Sequence, residues 1–174
     1  MITTTRLNLT LKSADDAREM IQNVPDEVLR ELSPEWLKLV ESATEADPWI
    51  HGFSVESRSD GIAVGNCGFK GPPDDSGTVE IAYEITPEYQ GRGFATEAAR
   101  ALAEFALQEG ALQEGALQVI AHTLRDRNAS TRVLEKSGFS WIGDVIDPDD
   151  GPVWRWEFVA QKEPTDSQSA SGTG

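Results

Sequence analysis

Gln90-Gly91-Arg92-Gly93-Phe94-Ala95 separates an extended run, Thr78 to Ile85, from an alanine-rich helical run, Thr96 to Glu109. A glycine turn at a strand-to-helix junction lets several backbone N–H groups converge on one anion. Glycine at positions 91 and 93 permits positive φ and lets a phosphate reach the backbone with no Cβ in the way. The stretch therefore predicts a pyrophosphate cradle. Two other phosphate-binding readings fail on spacing. A dinucleotide fingerprint needs a third glycine early in a parallel sheet and an acid about 20 residues later to bind ribose, and that set is not present. A nucleoside-triphosphate loop needs Gly-Lys-Ser or Gly-Lys-Thr, a tripeptide this chain lacks.

Working outward, Arg6 to Lys12 alternates Leu7, Leu9 and Leu11 with polar residues, the signature of a half-buried strand. Ser13 suits the cap of a helix over 14–23, and Ser33-Pro34 interrupts a second helical region over 26–44. Strands are expected at Trp49 to Arg58 and Ile62 to Phe69, joined by the turn Ser59-Asp60-Gly61. After the cradle, Ala98, Ala101, Leu102 and Phe105 recur at the spacing of a buried helical stripe. Leu117 to Thr123 reads as strand and Asn128 to Ser137 as a helix stopped by Gly138. Phe139 to Ile146 and Val153 to Val159 close the fold as two further strands. The expected order is β-α-α-β-β-β-α-β-α-β-β, seven strands in all. Residues 1–160 form one α+β (mixed α/β) domain, and 161–174, largely Ser, Thr, Gln, Gly and Ala, has too little apolar surface to fold.

Within that order, Ala106-Leu107-Gln108-Glu109-Gly110 repeats at once as Ala111 to Gly115, and a third copy begins at Ala116. Gly110 offers a helix stop, so the second copy is expected to loop out at little cost in closure entropy.

The 15 basic and 30 acidic residues give a net charge of −15, a field that repels nucleic acid and concentrates cations such as amines. Solubility alone also accounts for such a charge. No apolar run approaches the roughly 18 residues of a membrane span, and Met1 to Thr5 lacks the features of a signal peptide, so a soluble, cytoplasmic protein is expected. With Cys67 as the single cysteine, no internal disulfide or cysteine-based metal site can form. His51 and His122 show no metal-ligand spacing and no metal is expected; His122 alternates with Ile120 and Leu124 as a satisfied sheet histidine. Trp141, Trp154 and Trp156 read as sheet packing rather than a substrate cage.

The pattern Gln-x-x-Gly-x-Ala, preceded by Tyr-Glu-Ile-Thr-Pro and followed by Thr-Glu-Ala-Ala-Arg, resembles the acetyl-coenzyme A loop of the GCN5-related N-acetyltransferases (GNAT superfamily). The likeness runs from Arg6-Leu7-Asn8-Leu9 to Arg132-Val133-Leu134-Glu135-Lys136-Ser137-Gly138-Phe139, and is strongest to the branch that acetylates N-termini of ribosomal proteins. It implies a curved mixed sheet splayed between the fourth and fifth strands, with the pantetheine arm inserted there and a backbone N–H near Ala82 or Tyr83 on the thioester oxygen. Carried over residue by residue, the cofactor contacts are Ile85, Gln90, Gly91, Arg92, Gly93, Phe94, Ala95, Thr96 and Asn128. Coenzyme A is an anion, and Arg92, Arg125, Arg127, Arg132 and Lys136 are the basic residues placed to meet it. The implied partners are acetyl-CoA and a primary amine, on a protein N-terminus or a small molecule. A homodimer is compatible with the pattern.

Acetyl transfer to an amine needs a positioned thioester, a proton acceptor for the ammonium and a proton donor for the departing thiolate. Glu80 shares a strand face with Ala82 and Glu84 and is the candidate base, or else an ordinary strand-face glutamate; a bulge would bring in Glu84. The family's usual acid, a tyrosine in its fourth helix, is Leu134 here. Ser130 is the alternative donor that the ribosomal branch implies, with helix capping as the competing role for both Ser130 and Asn128. The missing tyrosine also admits a catalytically silent acyl-CoA binder. An acyltransferase for longer chains or hydroxyl acceptors would differ only in pocket shape.

Overall fold

The computed structural model describes residues 1–112 and 116–159, and their strands form one eight-stranded sheet. In chain order the strands are β1 (Ile2–Thr3), β2 (Leu7–Leu11), β3 (Phe53–Ser57), β4 (Ala63–Phe69), β5 (Thr78–Ile85), β6 (Gln118–Thr123), β7 (Phe139–Asp147) and β8 (Gly151–Phe158). The helices are α1 (Ala14–Gln22), α2 (Asp26–Leu29), α3 (Pro34–Ser42), α4 (Pro48–His51), α5 (Phe94–Leu112) and α6 (Ala129–Ser137), with a short 3-10 turn at Pro87–Tyr89. The spatial order is β1-β2-β3-β4-β5-β6-β8-β7, antiparallel throughout except where β5 meets β6.

Alternation sets the buried face. Leu7 and Leu9 on β2, Val55 on β3, and Val79, Ile81 and Ile85 on β5 lie in the core. Over this face α5 lays Ala98, Ala99, Leu102 and Ala106, none of them exposed. Alanine at three of these four positions lets the helix axis lie close to the sheet while Leu102 fills the space between strands. The helix N-termini follow local chemistry. Ser13 caps α1 in a reciprocal capping box with Asp16, and Ser33 caps α3 by accepting from the Trp36 N–H, with Pro34 in the first turn.

The feature that positions the site is a short parallel joint. β5 pairs with β6 only through Thr78–Gln118, Val79–Val119 and Glu80–Ile120. Beyond Glu80, β5 stays with β4 as far as Ile85, while β6 turns to β8, pairing through Thr123 with Trp154. The sheet opens into a V whose arms are the C-terminal ends of β5 and β6.

Three expectations change. The sheet gains an eighth strand, because Ile2–Thr3 pairs with Leu9 and Asn8 at the edge. The strand expected from Trp49 begins instead at Phe53: Asp47 caps a turn by accepting from the Trp49 N–H, Pro48 fits its first position, and Gly52 at φ 69° turns the chain into β3. The long helix does not stop at Gly110 but continues to Leu112. A helical glycine costs only about 1 kcal/mol relative to alanine, too little to force an end. Gln113, Glu114 and Gly115, the rest of the second repeat, lie outside the described residues, as does the expected disordered tail, 161–174.

Candidate active site

Two cavities are lined by neighbouring residues of β5. The first, of about 450 Å³, is lined by Tyr83, Glu84 and Ile85, by the cradle, and by the first turns of α5 and α6. Gly91 and Gly93 adopt φ of 75° and 81°, the left-handed backbone their sequence position predicts. Phe94, Ala95 and Thr96 open α5, where N–H groups have no partner within the helix and the dipole is positive. Gln90 donates through Nε2 to the Ile85 carbonyl at 2.8 Å, which ties the cradle to the end of β5.

The basic residues divide. Arg132 and Lys136 line the cavity from α6, whereas Arg125 pairs with Asp144 at 2.7 Å and Arg127 with Glu135 at 2.9 Å. Arg92 turns its guanidinium over the Tyr89 ring, 5.4 Å from the centroid, and offers the cavity no side-chain charge. Ser130 lines the cavity and is exposed, on the second residue of α6. Asn128 does not line it; its Oδ1 caps α6 by accepting from the N–H groups of Ser130 and Thr131. Both of the chain's tyrosines, Tyr83 and Tyr89, face the cavity. Burial pushes the Tyr83 phenol up to about 12, so it remains a proton donor. Its strand position gave no signal for that role.

The second cavity, about 590 Å³, is lined by Glu80, Ala82, Ile120, His122 and Trp36, with acids from three loops. Glu80 and Ala82 share the face opposite Val79 and Ile81, as alternation predicts. No bulge interrupts β5 between Ile81–Phe69 and Ile85–Gly65, so Glu84 keeps to the face of Glu80 and Ala82, but further along the strand it lines the first cavity while Glu80 lines the second. Backbone direction follows from the same ladder. The Lys70 N–H bonds the Glu80 carbonyl and the Thr86 N–H bonds the Val64 carbonyl, so even-numbered residues of β5 point their polar groups at β4. The N–H and carbonyl of Tyr83 therefore point into the V.

Around Glu80 gathers a cluster that sequence separation concealed. Lys70 Nζ lies 2.6 Å from Glu80 Oε1 and 3.7 Å from Asp150 Oδ2. His122 Nδ1 lies 3.3 Å from Glu80 Oε1 and 3.5 Å from Asp147 Oδ2. Neither ring nitrogen of His122 has a hydrogen bond among the described residues, although its side chain is only 9% exposed. The histidine expected to be satisfied in the sheet is instead an unpartnered group between two carboxylates. Asp147 is held ionised: burial raises its pKa, but hydrogen bonds from the Asp150 and Asp149 N–H groups, with the charges of His122 and Lys70, outweigh that and leave it below the usual range. Glu80, His122 and Asp147 offer ligand atoms within 4.8 Å of one another, but the Lys70 ammonium already answers the Glu80 oxygen they would share with a metal.

Residues 6–140 match the family described as the acetyltransferase (GNAT) domain. The chain belongs to the GNAT acetyltransferases. An uncharacterized N-acetyltransferase of Bacillus subtilis, YjdG, is 31% identical over 93 residues, 53% of this chain and 51% of that protein, so the match spans about half of the curated relative. Among solved folds, a putative ribosomal-protein-serine acetyltransferase from Vibrio cholerae superposes with a TM-score of 0.61 at 19% identity, covering 91% of this chain and 97% of that one. RimL, the ribosomal L7/L12 α-N-protein acetyltransferase in complex with coenzyme A, reaches 0.64 at 14% identity over 91% and 97%. This GNAT domain carries the open V between β5 and β6 and the glycine cradle at the start of α5.

Proposed function

We propose that the protein transfers the acetyl group of acetyl-CoA to a primary amine by direct attack in a ternary complex, the donor in the first cavity and the acceptor in the second. The observation that carries this reading is that consecutive residues of β5 line the two cavities, Ala82 the one that holds the Glu80 carboxylate and Tyr83 the one that holds the glycine cradle. The cradle N–H groups, Arg132 and Lys136 hold the anionic donor. The Tyr83 N–H, aimed into the V, donates to the thioester oxygen and stabilises the charge that develops there. Glu80 takes the ammonium proton, with His122 in contact to receive it in turn. Ser130 and the Tyr83 hydroxyl are the donors that face the thiolate's cavity. The acid-rich wall selects a positively charged acceptor, a protein α-amino group or a small-molecule amine.

Coenzyme A release measured against a panel of N-terminal peptides and small amines tests the reading. Turnover with any cationic amine, reduced in Glu80→Gln, supports it. Tight acetyl-CoA binding without turnover on any amine would make the protein a silent acyl-CoA binder.

A further inference from the structure

Lys70 follows the last residue of β4 and stands directly across the ladder from Glu80, on the same face. Its ammonium touches the proposed base, at 2.6 Å, inside the cavity assigned to the acceptor, and Ala82 lines that cavity beside it. The side chain is 46% exposed and is held by no covalent or deeply buried contact. A primary amine of the chain thus occupies the position in which an acceptor's ammonium would meet Glu80. The acids around it give it the environment that a cationic substrate would find, with Asp150 at 3.7 Å as its second anion.

We propose that Lys70 is a self-acetylation site, taking the acetyl group from acetyl-CoA bound in its own chain when no other amine fills the cavity. This rests on the acetyltransferase reading above. Lys70 Nζ gives a proton to the Glu80 carboxylate and its freed lone pair attacks the thioester carbonyl carbon. As the tetrahedral intermediate collapses, the C–S bond breaks, the new C–N bond remains, and the nitrogen loses a second proton. Of the two protons shed, one leaves through Glu80 to solvent and one ends on the departing sulfur, so the products are N-acetyl-lysine, coenzyme A thiol and one H⁺. The product no longer carries a charge to answer Glu80. Modification therefore leaves the cavity more negative, and a cationic acceptor that follows meets the carboxylate without competition.

The test uses the full chain with acetyl-CoA and no added amine, followed by peptide mapping by mass spectrometry. One acetyl group is expected on Lys70, ahead of Lys12, Lys38, Lys136 and Lys162, at a rate independent of protein concentration. Glu80→Gln should slow it roughly 10²-fold, and Lys70→Arg should leave no acetyl group at that position. A parallel arm follows coenzyme A release with external amines. Turnover of those amines while Lys70 stays unmodified overturns the inference and leaves the proposed function standing. No turnover and no modification overturns both. Acetylation of Lys70 no faster than that of the other lysines, or at a rate that rises with protein concentration, also overturns it, as does an equal rate in Glu80→Gln.

Discussion

Arg6 and Glu97, 91 residues apart, are joined by two hydrogen bonds: the Arg6 backbone N–H to Oε1 at 2.7 Å and the guanidinium Nε to Oε2 at 2.8 Å. Thr4 adds its hydroxyl to Oε1 at 2.5 Å, and Arg6 Nη1 donates to the Arg92 carbonyl at 2.7 Å. One arginine thus fastens the first strands to α5 and to the cradle.

Burial alone would raise the Glu97 carboxyl, but the bonds from Thr4 and Arg6 outweigh it and hold its pKa below the ordinary 4.5. A depressed acid contributes stability that is present above its unfolded-state pKa and is lost as pH falls through the folded one. Denaturant melts across acid pH should show that loss below about 4.5. Glu97→Gln should lower stability at neutral pH by about 1–2 kcal/mol and flatten the acid limb, since charge-assisted hydrogen bonds are lost. An unchanged acid limb would assign the pH dependence to other carboxylates.

Glu80→Gln keeps the side-chain shape and removes the base, so turnover should fall by roughly 10²-fold with acetyl-CoA affinity preserved. Steady-state kinetics with calorimetry reads both quantities. Lost affinity would mean that the cluster holds the fold of the V rather than moving a proton.

At Gly91 a Cβ would meet no atom within 4 Å, yet its φ of 75° strains any L-residue. Gly91→Ala should therefore lower the melting temperature modestly, at a cost of about 1–2 kcal/mol, and reduce acetyl-CoA affinity by misaligning the cradle donors. Gly93 is a harsher place for the same test: its φ is 81° and its Cβ would lie 3.1 Å from Arg6 Nη2, so a β-branched residue there disturbs the free protein as well. Equal affinity in Gly91→Ala by calorimetry would remove the cradle from the binding site.

Deleting Ala111 to Gly115 shortens the path from α5 to β6 by five residues and takes Ala111 and Leu112 from the end of α5. Because α5 uses the second repeat as far as Leu112, and Ala116 is buried, the deletion removes the end of the last turn of α5 next to a buried residue and is expected to cost stability. The variant should fold and bind acetyl-CoA but melt a few degrees lower, as calorimetry would show. A higher melting temperature would restore the view that the repeat is a surplus loop.

Features carried by local chemistry were legible before the fold was known. The cradle follows from glycines at a strand-helix junction, and the shared face of Glu80, Ala82 and Glu84 from a period of two. What sequence concealed depends on which strands become neighbours. Lys70, Glu80, His122 and Asp147 meet only because β5 lies between β4 and β6 while β8 brings β7 to the same side, an order no local pattern encodes. Arg92 reads as a phosphate ligand because of where it sits, and its guanidinium lies over the Tyr89 ring, a contact no local pattern announces. The Asp47-Pro48 signal for α4 was present, but Trp49 and Ile50 beside it read as the start of a strand. At Gly110 the helical ladder outweighed a residue that more often ends helices.

The three-pair joint between β5 and β6 makes the sheet two slabs sharing a short hinge rather than one continuous plate. One slab runs from β1 to β5 and the other from β6 through β8 to β7, with α5 bridging them. With only three strand pairs joining the slabs, amide hydrogen exchange is expected to resolve two stability classes along a single domain. A ligand wedged in the V would rivet them: at a hundred times its dissociation constant it adds about 2.7 kcal/mol to the folded state and merges the two classes into one. On the proposed reading, rigidity is then something the acyl donor is expected to bring with it.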